Sequence, residues 1–133
     1  MDIGCKIINL PKIIDKRGNL SFVQELDHLP FKIRRSFWIY DVPGGEKRGG
    51  HAYKENEEFI IALSGSFDVI INTGVESYTY SLNRSYYGLY IPKGIWRHIE
   101  NFSTNSFALV LASTFYNSED YIRDFPKFSS LVK

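Results

Sequence analysis

The chain has one cysteine, Cys5, so it cannot close an internal disulfide. It has no apolar run long enough to cross a bilayer. It also has no charge of one sign in excess: 16 basic and 15 acidic residues are interspersed and leave a net charge of +1. A nucleic-acid surface would need a basic stripe, and none is present. The opening stretch, MDIGCKIINLPKIIDKRG, sets short apolar pairs between lysines and lacks the apolar centre of a signal peptide. Repeats, low-complexity tracts and Pro- or Ser-rich linkers are missing as well, so residues 1–133 read as one domain. These absences lead to the expectation of a cytoplasmic protein that engages neither membrane nor nucleic acid.

Aromatic residues are plentiful, at 16% of the chain. They favour strands and can stack planar ligands. Short runs with period-two alternation, bounded by Gly, Pro, Asn or Ser, predict strands over residues 20–25, 35–42, 51–53, 58–63, 66–72, 76–82, 87–91, 95–100 and 106–113. Thr73-Gly74 reads as a hairpin turn. Helical signal is confined to the end, where Ser118, an acidic first turn and Pro126 predict a short helix over residues 118–125. The spacing predicts an all-β barrel or sandwich closed by a short C-terminal helix.

The stretch GEKRGGHAYKENEEFIIALSG, residues 45–65, holds the densest chemistry. Its glycine, histidine, glutamate and glycine keep the spacing of the first motif of the cupin barrels, which reads Gly, five residues, His-x-His, three or four residues, Glu, six residues, Gly. Here His51 fills the first histidine position and Tyr53 the second. A phenol with a pKa near 10 is a poor divalent ligand. Where the second cupin motif places its histidine this chain has Arg97, which cannot ligate. His98 is one residue out of register, and on a strand it faces the other way. The expectation is therefore a pocket with no metal, doing organic acid–base chemistry.

His51 is the candidate base, since its unperturbed pKa is the closest to neutrality. Tyr53 shares its face if the strand is regular. Arg48, ahead of two glycines, suits a phosphate or a developing oxyanion. Other assignments stay open from the residues alone. His51 also fits a hydrogen-bonded barrel histidine. Of Arg34-Arg35, one points inward on a regular strand, though a surface pair at a strand start is the commoner outcome. Phe37, Trp38 and Tyr40 fit core packing better than ligand stacking. Either Glu57 or Glu58 faces the interior.

Over nearly its whole length the sequence resembles the sugar-nucleotide 3,4-ketoisomerases, small cupins acting on dTDP-4-keto-6-deoxyglucose. The carriers are IIDKRGNL, IRRSFWIYDV, RGGHAYK, SGSF, YYGLYIPKGIWR and LVLASTFYNSEDYIRDF. The resemblance implies a cupin-type double-stranded β-helix, or jelly roll. It implies a cofactor-free proton transfer from C3 to C4 through an enediol or enediolate, serving 3-amino-3,6-dideoxyhexose and surface-glycan synthesis. His51 would be the base, and Tyr53, in place of the family's second histidine, would be the second catalytic residue, shuttling a proton through its phenol unless that step goes through water. Arg35 would meet the pyrophosphate, and Arg48 would help bind the anionic substrate. Phe37 would line the site, where the family often carries a tyrosine. Arg17 and Arg97 would stand at the sugar end, where they leave gluco and galacto products both open. A homodimer that exchanges N-terminal strands is also implied. Two alternatives share the scaffold: a 3,5-epimerase of dTDP-sugars, and a sugar-nucleotide-binding cupin without activity. An iron-dependent cupin oxygenase would need another histidine in register.

Overall fold

The computed structural model describes residues 3–132. The strands are β1 (Lys6–Asn9), β2 (Lys12–Ile13), β3 (Leu20–Ser21), β4 (Arg35–Tyr40), β5 (Arg48–Tyr53), β6 (Glu58–Ser64), β7 (Phe67–Asn72), β8 (Ser77–Leu82), β9 (Tyr87–Ile91), β10 (Trp96–Glu100), β11 (Phe107–Ala112) and β12 (Tyr121–Ile122). One helix, α1 (Phe125–Leu131), follows. Two antiparallel sheets face each other, ordered β1-β9-β6-β11-β4 and β12-β5-β10-β7-β8, and β2–β3 forms a small separate hairpin. This is the expected mostly-β double-sheet architecture. No helix among the described residues is long and apolar enough to cross a membrane.

The main core lies between the sheets. Ile60, Ala62, Leu89, Ile91, Ala108 and Val110 of the first sheet meet Phe67, Val69, Ile71, Leu82 and Ile99 of the second. The outer face of the first sheet is buried too. Phe59, Ile61, Tyr90 and Leu111 are covered by Leu10, Leu29 and Phe31 of the N-terminal arm. That double covering is why β6 reads as the continuous apolar run FIIA over residues 59–62 rather than an alternation, whereas Leu63 beyond it is exposed. On the second sheet, Ala52 and Trp96 are covered by Ile122 and by Phe128 of α1. Gly88 is required where β9 pairs with β6, because a Cβ there would lie 2.5 Å from the Ile60 carbonyl oxygen.

The C-terminal segment departs from expectation. Residues 118–125 do not form the helix. Ser118–Asp120 make one 3-10 turn, capped by Asn117, whose Oδ1 accepts from the Glu119 N–H at 3.0 Å. Tyr121 and Ile122 then pair with Tyr53 and Ala52 as an edge strand. Asp120 decides this. Its carboxylate accepts the N–H groups of Glu55 and Asn56, at 2.7 and 3.1 Å, and its carbonyl accepts that of Lys54. Pro126 begins the helix instead of ending it, because a proline in the first helical turn gives up an N–H that has no partner there anyway.

Other differences are smaller. Residues 20–25 are strand only at Leu20–Ser21, and β1 lies outside the runs read from alternation, although the resemblance implies N-terminal strands. Trp38 and Tyr40 are 52% and 58% exposed, not core. They alternate with Phe37 and Ile39 on β4, an edge strand whose outer face is open at that end.

Candidate active site

His51 is positioned by a bulge in β5. Opposite Arg97 of β10 stands His51, but opposite Ile99 stands Arg48, so β5 carries one extra residue between the two pairs. Gly49, with φ of 75°, supplies the left-handed backbone that such a bulge uses. Three positions apart on a regular strand, Arg48 and His51 would face opposite sides. The bulge restores them to one side, which the sequence pattern did not reveal.

Beneath His51 lies an ion pair. Arg97 is 2% exposed and donates through Nη1 to Oε1 of Glu58, itself 3% exposed. Glu58, not Glu57, is thus the inward residue of that pair. Arg97 Nε also donates to the Ile95 carbonyl at 3.2 Å, while Arg97 Nη2 and Glu58 Oε2 have no hydrogen-bond partner. His98 turns to the other face and meets Glu100 at 2.7 Å, as its register predicts.

Three rings meet above this pair. His51 lies 4.7 Å from Tyr53 and 5.0 Å from Tyr121, centroid to centroid and edge-on, and the two tyrosines are 4.7 Å apart. Tyr121 belongs to β12, so the edge strand that replaces the expected helix delivers a phenol to the site. Arg123, two residues on, sets its guanidinium 4.2 Å from the Tyr121 ring centroid. Sequence reasoning missed Tyr121 and Arg123. The signal was present in YIR, whose first and third residues share a face only if the segment is extended.

The cavity in front of His51 measures about 420 Å³ and is lined by Phe37, Trp38, Lys47, Arg48, Tyr53, Tyr121 and Arg123, among others. A second cleft of about 400 Å³ adjoins it through Trp38, Ile39, Lys47 and Arg48. Arg35 is the inward member of its pair. Its guanidinium lies 5.5 Å from the Phe37 ring and 5.7 Å from that of Tyr116, and its Nε is buried without a partner. Arg17 stands apart. It lies in the turn between β2 and β3, lines neither cavity, and is held by Asp15 at 2.8 Å with its side chain 85% exposed.

The electrostatics follow from this arrangement. Burial, reinforced by the charges of Arg97, Arg123 and Arg35, lowers the pKa of His51 to about 3, so the imidazole is neutral at physiological pH. Both of its ring nitrogens are buried without hydrogen-bond partners. Burial, then the nearby Glu58 carboxylate and the contact with Tyr121, push the Tyr53 phenol well above its usual range. Burial likewise raises Glu58, against the pull of Arg97. The site thus offers a neutral base inside a ring of guanidinium groups, suited to a substrate that is anionic and becomes more so as it reacts. Among the described residues, no three His, Cys, Asp or Glu side chains gather as a metal site.

Residues 3–133 match the family described as "FdtA: WxcM-like, C-terminal". The TDP-4-oxo-6-deoxy-alpha-D-glucose-3,4-oxoisomerase of Aneurinibacillus thermoaerophilus is 38% identical over 127 residues, covering 96% of this chain and 91% of that protein. A 3,4-ketoisomerase from Helicobacter canadensis superposes with a TM-score of 0.95 at 40% identity, covering 98% of each chain. QdtA, a 3,4-ketoisomerase from Thermoanaerobacterium thermosaccharolyticum, superposes with a TM-score of 0.96 at 30% identity over 99% of this chain and 96% of its own. Its structure was solved as a histidine-to-asparagine mutant in complex with TDP-4-keto-6-deoxyglucose. The rmlC epimerase of Mycobacterium tuberculosis, at 17% identity and a TM-score of 0.77, shares the cupin-like fold alone. With its motifs, its double sheet and these relatives in agreement, the chain belongs to the FdtA (WxcM-like, C-terminal) family of 3,4-ketoisomerases.

Proposed function

We propose that this chain converts TDP-4-keto-6-deoxyglucose to the corresponding 3-keto sugar nucleotide, with His51 as the base. The observation that carries this reading is the neutral, buried His51 facing a cavity rimmed by Arg48, Arg123 and Lys47, in a chain whose relatives at 30–40% identity are 3,4-ketoisomerases. His51 takes the C3 proton and returns it at C4. The arginines stabilise the enediolate by charge and preorganisation, without reorganising when the charge develops. Arg35 and Arg48 hold the diphosphate, for which guanidinium forks suit two phosphate oxygens at once. Phe37 packs beside the sugar. Tyr53, one of the three clustered rings, takes the place of the second histidine in the family pattern. Arg97 supports the site from below through Glu58.

The assembly belongs to the same proposal. In this chain β1 pairs with its own β9, Lys6 opposite Tyr90. A homodimer forms by exchanging that pairing between two copies. Ile13, Ile14 and Leu20, at 55%, 74% and 55% exposure on and beside the β2–β3 hairpin, are the apolar side chains that a partner would cover. Arg17, in the same hairpin, would travel with the exchanged arm. Sedimentation of the purified protein at micromolar concentration tests this, and a monomer would refute it.

The decisive experiment is a proton NMR time course with TDP-4-keto-6-deoxyglucose in deuterated buffer. The expected result is loss of the C3 proton with a 3-keto product carrying deuterium at C4, abolished in His51→Asn. Exchange at C5 as well would indicate an epimerase. TDP binding with no exchange would indicate a binding protein.

A further inference from the structure

A keto shift between neighbouring carbons moves two protons, one from C3 to C4 and one from the C3 oxygen to the C4 oxygen. His51 accounts for the first. The second needs a group that gives and takes a proton at oxygen, and the guanidinium groups around the cavity cannot, since they do not deprotonate. We propose that Tyr121 is this second catalytic residue and that Tyr53 positions it; the inference rests on the ketoisomerase reading above.

Three observations carry the assignment. Tyr121 lines the cavity beside His51, with the rings 5.0 Å apart. Both tyrosines line the cavity, but Tyr53 is only 1% exposed, packed against His51, Tyr121 and the Arg97 guanidinium, whereas Tyr121 is half-buried and so the more accessible to a sugar. The carboxylate of Glu58 also faces Tyr53 and opposes any loss of its proton. Phe37 has no hydroxyl to offer. Arg123, 4.2 Å from the Tyr121 ring, fixes the plane of the phenol.

The steps balance. His51 takes the proton from C3, the C–H electron pair becomes the C3=C4 double bond, and the C4 oxygen receives the Tyr121 proton. This gives an enediol, an imidazolium and a phenolate. In the second half the C3 hydroxyl returns its proton to the phenolate as the C3 carbonyl forms. The double-bond pair then takes the imidazolium proton at C4. Both side chains end as they began, and no co-reactant is consumed.

The test compares wild type, Tyr121→Phe and Tyr53→Phe as full-length chains. The NMR assay gives turnover, and calorimetry gives TDP affinity. Tyr121→Phe should lower kcat about 100-fold or more, in the range of a lost general acid–base group, with TDP affinity within about threefold of wild type. Tyr53→Phe should lower it less. If wild type turns over and Tyr121→Phe keeps within about threefold of it, the Tyr121 assignment fails and the ketoisomerase reading stands. A larger loss in Tyr53→Phe than in Tyr121→Phe would also overturn it, as would parallel loss of TDP binding and turnover in Tyr121→Phe. A wild-type protein that does not turn over would overturn the ketoisomerase reading, and the assignment with it.

Discussion

Arg97 stands directly opposite His51 across the β5–β10 ladder. Burial is the first cause of the low His51 pKa, and the side chain that occupies a metal-ligand position of the barrel adds a permanent charge acting in the same direction.

That relationship sets the pH dependence of the reaction. With the His51 pKa lowered to about 3, kcat/KM should stay level as the pH falls through about 6.5, where a free histidine would titrate. A pH–rate profile between about pH 5 and 8 checks this. An acid limb centred near 6.5 would show that His51 is not held neutral in the free enzyme.

Stability carries the same signature. The folded pKa of His51 lies below its unfolded value, so its contribution is complete above about pH 6.5 and is lost as the pH falls toward 3. At about pH 4.5 the difference amounts to roughly 2–3 kcal/mol, at 1.36 kcal/mol per pKa unit. Urea unfolding of wild type and His51→Asn should therefore converge in relative stability as the pH is lowered over this range. Parallel curves would contradict the assignment.

Glu58→Gln should destabilise the fold by about 3–5 kcal/mol, because it leaves Arg97 charged and uncompensated in the interior. The double variant Glu58→Leu with Arg97→Met should recover much of that loss, since it removes both buried charges. Denaturant titration of Glu58→Leu, Arg97→Met and the double variant gives the coupling. Recovered stability without recovered turnover would separate the role of Arg97 in the site from its role in folding.

Gly49→Ala isolates the bulge. A Cβ there lies 3.6 Å from the His51 ring, an ordinary contact, so the cost comes from the backbone at φ of 75°. Roughly 1–2 kcal/mol of strain is expected. If the bulge relaxes to relieve it, Arg48 and His51 part company and kcat/KM should fall by about tenfold or more. Thermal unfolding and steady-state kinetics read the two effects separately.

Asp120→Asn should lower stability by about 1–3 kcal/mol, weakening the charge-assisted bonds from the Glu55 and Asn56 N–H groups. Turnover should drop further than stability alone explains, because β12 holds Tyr121. Hydrogen exchange at Tyr121 and Ile122, compared with the core of β6, would show the local loosening.

Much of this architecture was legible in the chain. The alternation in residues 77–82 and the apolar run from Phe59 follow directly from half-buried and fully buried strands. His98 was placed on the outer face by register alone. What stayed hidden depends on partners distant in sequence. The propensities of residues 118–125 favour a helix, yet Asp120 finds N–H donors in the β5–β6 turn and tertiary structure overrides local preference. Likewise, Gly49-Gly50 announced flexibility, but only the pairing with β10 shows that it amounts to one extra residue. The exposure of Trp38 and Tyr40 required knowing that β4 is an edge.

The clamp that seats β12 joins residues 64 and 65 positions apart. Loop length does not set this clamp apart, since Arg35 and Ala112 pair across a longer stretch within the core sheet; its place in folding follows from what it leaves untouched. The two sheets can enclose their shared core before the clamp forms, since Tyr121 contributes nothing to it. Refolding should thus pass from a compact chain to a competent one in its final event, the docking of the C-terminal segment. Regain of turnover would then time that event more faithfully than any signal from the protein interior.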